Sequence, residues 1–174
     1  AGGDKDKIIS INQWGTTIWN SMQYAFFGCT NLESTATDTP NLSSVTDMSG
    51  MFWKATAFNG DISNWDVSNV TNMDSMFYEA RAFNGDTSNW DVSNVTNMSS
   101  MFYGATAFNG DVSNWDVGKV TTMMFMFGDT LVFNGDISNW NVSSVTNMFY
   151  MFYRTTAFNQ NLSSWDVSSV TDMT

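Results

Sequence analysis

Four aspartates, Asp61, Asp86, Asp111 and Asp136, recur with a 25-residue period, each closing an Asn-Gly-Asp run. A second row, Asp66, Asp91, Asp116 and Asp166, keeps the same step, with Asn141 interrupting it. Calcium takes carboxylate, amide and carbonyl oxygens, and Asn59-Gly60-Asp61 offers all three, so Asp61, Asp86, Asp111 and Asp136 are candidate calcium ligands between copies. Alternatively, a turn aspartate accepts a backbone N–H two positions on, as an Asx-turn does. The pattern favours the turn, because no segment has the dense acidic spacing of an EF-hand loop. Glycosidase or protease work fits neither row. Such work needs two carboxyls in unlike environments, and translational repetition gives every copy nearly the same one.

Composition narrows the chemistry further. The 174 residues contain no histidine, which excludes Ser-His-Asp and Cys-His relays and imidazole metal sites. The lone Cys29 follows Gly28 in a slot that is otherwise Ala, so a small buried residue is expected there rather than a nucleophile. No enzyme is expected. Seventeen acidic against six basic residues give a net charge of -11, which repels phosphate backbones and leaves nucleic acid an unsuitable partner. No apolar run approaches the roughly 18 residues of a membrane helix, so no direct membrane insertion is expected. The chain lacks an initiator Met and stops at Thr174 partway through its motif, which suggests a piece of a longer protein.

These candidates must be held by whatever carries the repeat. Trp65, Trp90, Trp115, Trp140 and Trp165 keep the same step as the aspartates, as do Phe58, Phe83, Phe108, Phe133 and Phe158. Met73, Met98, Met123 and Met148, and Phe77, Phe102, Phe127 and Phe152, do the same. A unit this short cannot enclose its own apolar side chains, but stacked units share one core. Residues 1–174 are therefore expected to form a single repeat domain. Two degenerate units over 1–57 are expected to cap it, and regular units over 58–174 to complete it, with the last one truncated.

Within a unit, Trp65 and Val67 alternate with Asn64, Asp66 and Ser68, the period-two signature of a short strand with one buried face. Val70, Met73, Met76 and Phe77 suit one helical or 3-10 turn, capped by Thr71 or Asn72. The expected fold is an α/β solenoid of about seven coils, each a short parallel strand plus a short helical turn, making a ribbon roughly 30 Å long.

The unit Trp65-Asp66-Val67-Ser68-Asn69, with Val95-Thr96-Asn97-Met98-Ser99-Ser100-Met101-Phe102-Tyr103-Gly104-Ala105, resembles the repeat of BspA-like bacterial surface proteins. The likeness spans nearly the whole chain. It implies a leucine-rich-repeat-like architecture, an extracellular location on a cell surface or in secreted form, attachment to other surface modules, and a role in adhesion or protein contact. It implies no catalytic residues. Pro40 at a Trp slot and Asn141 at an Asp slot depart from the pattern.

If the indoles point inward, the outward strand face is a polar grid: Asn64, Asp66 and Ser68, then Asn89, Asp91 and Ser93, Asn114 and Asp116, Asn139 and Asn141, and Asp166. This grid is the candidate binding surface, for a basic protein patch or a hydroxyl-rich glycan on a cell or matrix surface. Tyr78, Tyr103 and Tyr153 follow the Met-Phe pair and are further contact candidates. The chain is expected to be a monomer. A passive spacer and a calcium-dependent glycan-binding module are the alternatives carried with this reading.

Overall fold

The structure is a computed structural model that describes residues 4–174. Its backbone follows one rule from copy to copy. Between Met73 and Ala80 the amides alternate in destination. Met73, Ser75, Phe77 and Glu79 donate to the carbonyls of Asn97, Ser99, Met101 and Tyr103 in the next unit, at 3.0, 2.8, 2.8 and 2.7 Å. Met76, Tyr78 and Ala80 donate back to Met73, Ser75 and Phe77 in their own unit, at 3.2, 3.1 and 3.0 Å. Each unit thus closes consecutive tight turns while binding its neighbour through every other amide of this segment, and no amide from Met73 to Ala80 is left unpaired. The pattern runs from Met22 donating to Asp47 through to Tyr150 donating to Thr174.

This rule overturns the expected α/β, leucine-rich-repeat-like solenoid of strand-plus-helix coils. Among the described residues there is no α-helix. One 3-10 turn spans Asp4–Lys7, and two parallel strands, β1 (Ser10–Ile11) and β2 (Glu33–Ser34), pair Ser10 with Glu33 and Ile11 with Ser34. Elsewhere the chain is turn and coil, joined by isolated parallel bridges along the row Asp47, Asn72, Asn97, Thr122, Asn147 and Asp172. The physical cause is local. Ser75 and Glu79 hold left-handed backbone at φ 54° and 52°, which no helix tolerates at two positions so close together. Turns also close on both sides of the Trp65–Val67 pair, Trp65 donating to Ile62 and Val70 to Val67, which leaves no length for a strand.

The stacked turns bury one continuous core. Phe77 and Phe83 lie face to face at 3.8 Å within a unit, and Phe77 and Phe102 at 5.6 Å between units. Trp90, Trp115 and Trp140 stack at 6.4 and 6.3 Å with planes 3° and 4° apart. The indoles are inside, Trp115 being 3% exposed. Each also ties two units together, because the Nε1–H of Trp90, Trp115, Trp140 and Trp165 donates to the carbonyl of Ile62, Thr87, Val112 and Ile137, all at 3.0 Å. The Asn-Gly-Asp turns need their glycine for space. A Cβ on Gly110 would stand 2.8 Å from the Phe108 ring.

At the N-terminal end the register shifts. Met22 donates to Asp47, whereas Met48 donates to Asn72, a step shorter by one position. Pro40 is buried in its Trp slot, and Trp14 packs edge-on against Trp65 at 5.2 Å. The Asp38 carboxylate accepts the Trp14 and Gly15 amides at 3.0 and 2.8 Å, which holds its pKa below the usual value.

Candidate functional site

Each unit turns two kinds of surface outward. The first is the corner that carries Asp-Ile-Ser-Asn-Trp-Asp-Val-Ser. All the grid aspartates and asparagines, Asn64, Asp66, Asn89, Asp91, Asn114, Asp116, Asn139, Asn141 and Asp166, are exposed, and Ser68 and Ser93 are half-buried. The corner side chains are engaged locally. Asp66 accepts both the amide and the hydroxyl of Ser68, at 3.1 and 2.6 Å, and Asn141 does the same for Ser143 at 3.2 and 2.8 Å. Asp91, Asp116 and Asp166 accept the amides of Ser93, Gly118 and Ser168, each at 3.0 Å.

The turn aspartates behave alike. Asp61, Asp86, Asp111 and Asp136 accept the amides of Ser63, Ser88, Ser113 and Ser138 at 3.0, 2.9, 2.9 and 2.9 Å. These bonds hold all four carboxyls below the usual carboxylate pKa. Charge repulsion from Asp111 and Asp61 acts on Asp86 in the opposite sense, as a lesser cause. Among the described residues no three acidic, cysteine or histidine side chains converge as a metal centre would require.

The second surface is the double-turn face, residues 73–80 and their equivalents, with the residues just after them. Aromatic rings run along it: Trp53 to Tyr78 at 4.7 Å, Tyr78 to Tyr103 at 4.9 Å, Tyr103 to Phe125 at 5.6 Å, and Phe125 to Tyr150 at 5.4 Å. Tyr78 and Tyr103 are half-buried, Tyr150 and Tyr153 exposed. Of the tyrosines singled out in the sequence, Tyr78 and Tyr103 stack directly, and Tyr153 packs on Tyr150 at 5.2 Å, the row being broken where Gly128 replaces a tyrosine.

Beside this row lies the slot of Lys54, Glu79, Gly104, Asp129 and Arg154, all at positive φ between 52° and 67°. Lys54 approaches Glu79 at 4.0 Å and Arg154 approaches Asp129 at 3.3 Å. Between these pairs, over Gly104, a cleft of about 340 Å³ opens, also lined by Arg81, Tyr103, Thr106 and Leu131. Burial, with the Asp129 carboxylate adding to it, pushes Tyr103 up to about 12. Sequence reasoning missed this cleft. A signal was present: in these slots successive copies read Lys, Glu, Gly, Asp, Arg and Thr, Arg, Thr, Leu, Thr, while the corner hardly changes.

The chain's sequence is matched twice by the model of a family described as Mycoplasma protein of unknown function, DUF285, over residues 4–109 and 86–174. No curated protein and no solved structure matches it.

Proposed function

The chain belongs to this DUF285 family along residues 4–174, and we propose that it is a non-catalytic contact module of an extracellular surface, binding protein or glycan through the double-turn face. The observation that carries the reading is the contrast between slots that repeat and slots that vary on one rigid support. A stack that needs its corner for folding leaves the corner little freedom, whereas a face that changes from copy to copy presents a specific, non-repeating surface. The half-exposed aromatic row supplies the amphipathic area on which interfaces depend. The uniform environment of the turn aspartates supports a chain without catalysis, since acid and base roles need carboxyls that differ. Resemblance to BspA-like surface repeats supports the extracellular setting.

Arrays of matrix proteins and glycans probed with the purified chain test this. Retention on at least one ligand is expected. It should fall in Tyr78→Ser and Tyr150→Ser and persist in Asp66→Asn and Asp91→Asn. Loss with the aspartate variants alone would move the contact surface to the polar grid. No retention on any ligand would favour the passive spacer. Retention that vanishes on chelation would favour the calcium-dependent glycan reading.

A further inference from the structure

The chain has only two arginines, Arg81 and Arg154, and both line the cleft over Gly104. In a chain of net charge -11 that placement concentrates scarce cation at one spot. The two are not equivalent. Arg154 is held by Asp129 at 3.3 Å, while Arg81 enters no salt bridge among the described residues. A free guanidinium offers a planar fork that binds a carboxylate through two parallel hydrogen bonds.

Two of the remaining walls are acceptors. Glu79 stands on one side of Gly104 and Asp129 on the other, each a carboxylate suited to hydroxyl donors. Leu131, 40% exposed, and the Tyr103 ring supply apolar wall. Gly104 itself makes the floor. A Cβ there would meet the Glu79 Cγ at 3.2 Å, and Gly104 is the member of this slot without a side chain, so the depression is the space that Lys54, Glu79, Asp129 and Arg154 fill in the other copies. At about 340 Å³ the cleft is at the small end of ligand pockets, which run from roughly 300 to 1,000 Å³. Two fixed carboxylates repel a multiply charged phosphate, so the ligand that fits carries one negative charge and several hydroxyls.

We propose that the cleft over Gly104 binds an acidic sugar, a pyranose bearing one carboxylate, with Arg81 clamping the carboxylate and Glu79 and Asp129 accepting ring hydroxyls. This rests on the contact-module reading of the same face and names its ligand class.

Titration of the intact chain with methyl glucuronide and with methyl glucoside, followed by calorimetry or by NMR of the ligand, tests it. The two probes share a ring and differ in the carboxylate. The glucuronide is expected to bind about tenfold more tightly, the margin of one charge-assisted clamp. Arg81→Ala should bring it down to the glucoside's level, and Gly104→Asn, whose side chain fills the floor and whose type tolerates left-handed backbone, should abolish binding of both. Lys119→Ala, at an exposed residue just past the corner that bonds Asn94 and does not line the cleft, should change neither affinity. An unchanged thermal midpoint in each variant separates lost binding from lost fold. Equal affinity for both probes, or an Arg81→Ala chain that still prefers the glucuronide, overturns the proposal. If the arrays retain the chain while glucuronide fails, the cleft assignment falls and the contact module stands. If nothing is retained anywhere, both fall.

Discussion

The corner and the double-turn face are made by the same repeating unit, yet they hold different records of it. Along the corner, Trp90, Trp115 and Trp140 each donate to a carbonyl of the preceding unit at a constant 3.0 Å, and Asp or Asn closes every turn. Along the face, the left-handed slots hold Tyr24, Gly50, Ser75, Ser100, Phe125 and Tyr150 in one row and Gly28, Lys54, Glu79, Gly104, Asp129 and Arg154 in the other. The corner is bound to neighbours by side-chain groups, so its residue types are constrained. The face is bound by backbone amides, which any residue but proline supplies. The same stack is therefore rigid in its chemistry on one side and free to vary on the other.

The largest effect that would break this contrast belongs to the corner. Trp115→Ala removes a buried indole stacked between Trp90 and Trp140 and leaves the Thr87 carbonyl without its donor, so about 3–5 kcal/mol of stability should be lost in chemical denaturation. Tyr150→Ala on the face, 39% exposed, should cost under about 1 kcal/mol. Comparable losses at both positions would show that the face is as structural as the corner.

Acid separates the two regions by sign. The corner carboxyls of Asp61, Asp86, Asp91, Asp111, Asp136 and Asp166 are held below the ordinary value of 3.8 by the serine amides and hydroxyls they accept. Their contribution to stability is present above that value and is lost as pH falls through the lowered folded-state values. On the face, burial raises the Asp74 carboxyl, so its contribution runs the other way and disappears as pH rises through the raised value. Thermal midpoints should fall as pH drops below 3.8, and Asp74→Asn should raise the midpoint at neutral pH. A midpoint that stays flat down to about pH 2 would mean the corner bonds stabilise nothing.

How much of this was legible beforehand depends on which bonds the sequence advertises. The regular step exposed the buried Trp, Phe and Met rows, because apolar side chains mark the core directly. Asp61 and its equivalents were readable as Asx-turns, because Asn-Gly-Asp-x-Ser carries its own acceptor and donor. The α/β expectation failed at Met73–Ala80. The spacing of Val70, Met73, Met76 and Phe77 is shared by a helix and by a series of tight turns whose third residues are left-handed, and Ser75 and Glu79 give no warning of positive φ. Trp65 and Val67 do alternate in and out, but the turns beside them prevent a ladder. The cleft escaped notice because its residues are defined by departing from the repeat.

Thr87 offers a smaller test within the corner. It stands where Ile62, Val112 and Ile137 stand in other copies, it is fully buried, and its hydroxyl has no hydrogen-bond partner. Thr87→Val keeps the shape and removes an unpaired polar group, so a gain of about 1 kcal/mol is expected. A loss instead would assign the hydroxyl a role that its surroundings do not indicate.

The smallest expected change tests the freedom of the face. Lys54 holds φ 58° in the slot that Gly28 and Gly104 occupy at 71° and 67°. Lys54→Gly relieves a left-handed residue of its Cβ, worth roughly 1 kcal/mol, against the greater entropy that glycine loses on folding, roughly 0.5–1 kcal/mol. The exposed contact to Glu79 at 4.0 Å adds little to the balance. Stability should therefore stay within about 0.5 kcal/mol of the parent or rise slightly, as read from denaturant midpoints. The slot has accepted a cation, an anion and a glycine in successive copies because its backbone, not its side chain, joins the stack. A loss of several kcal/mol on Lys54→Gly would mean that the side chain is part of the scaffold after all, and the division between a constrained corner and a permissive face would not hold.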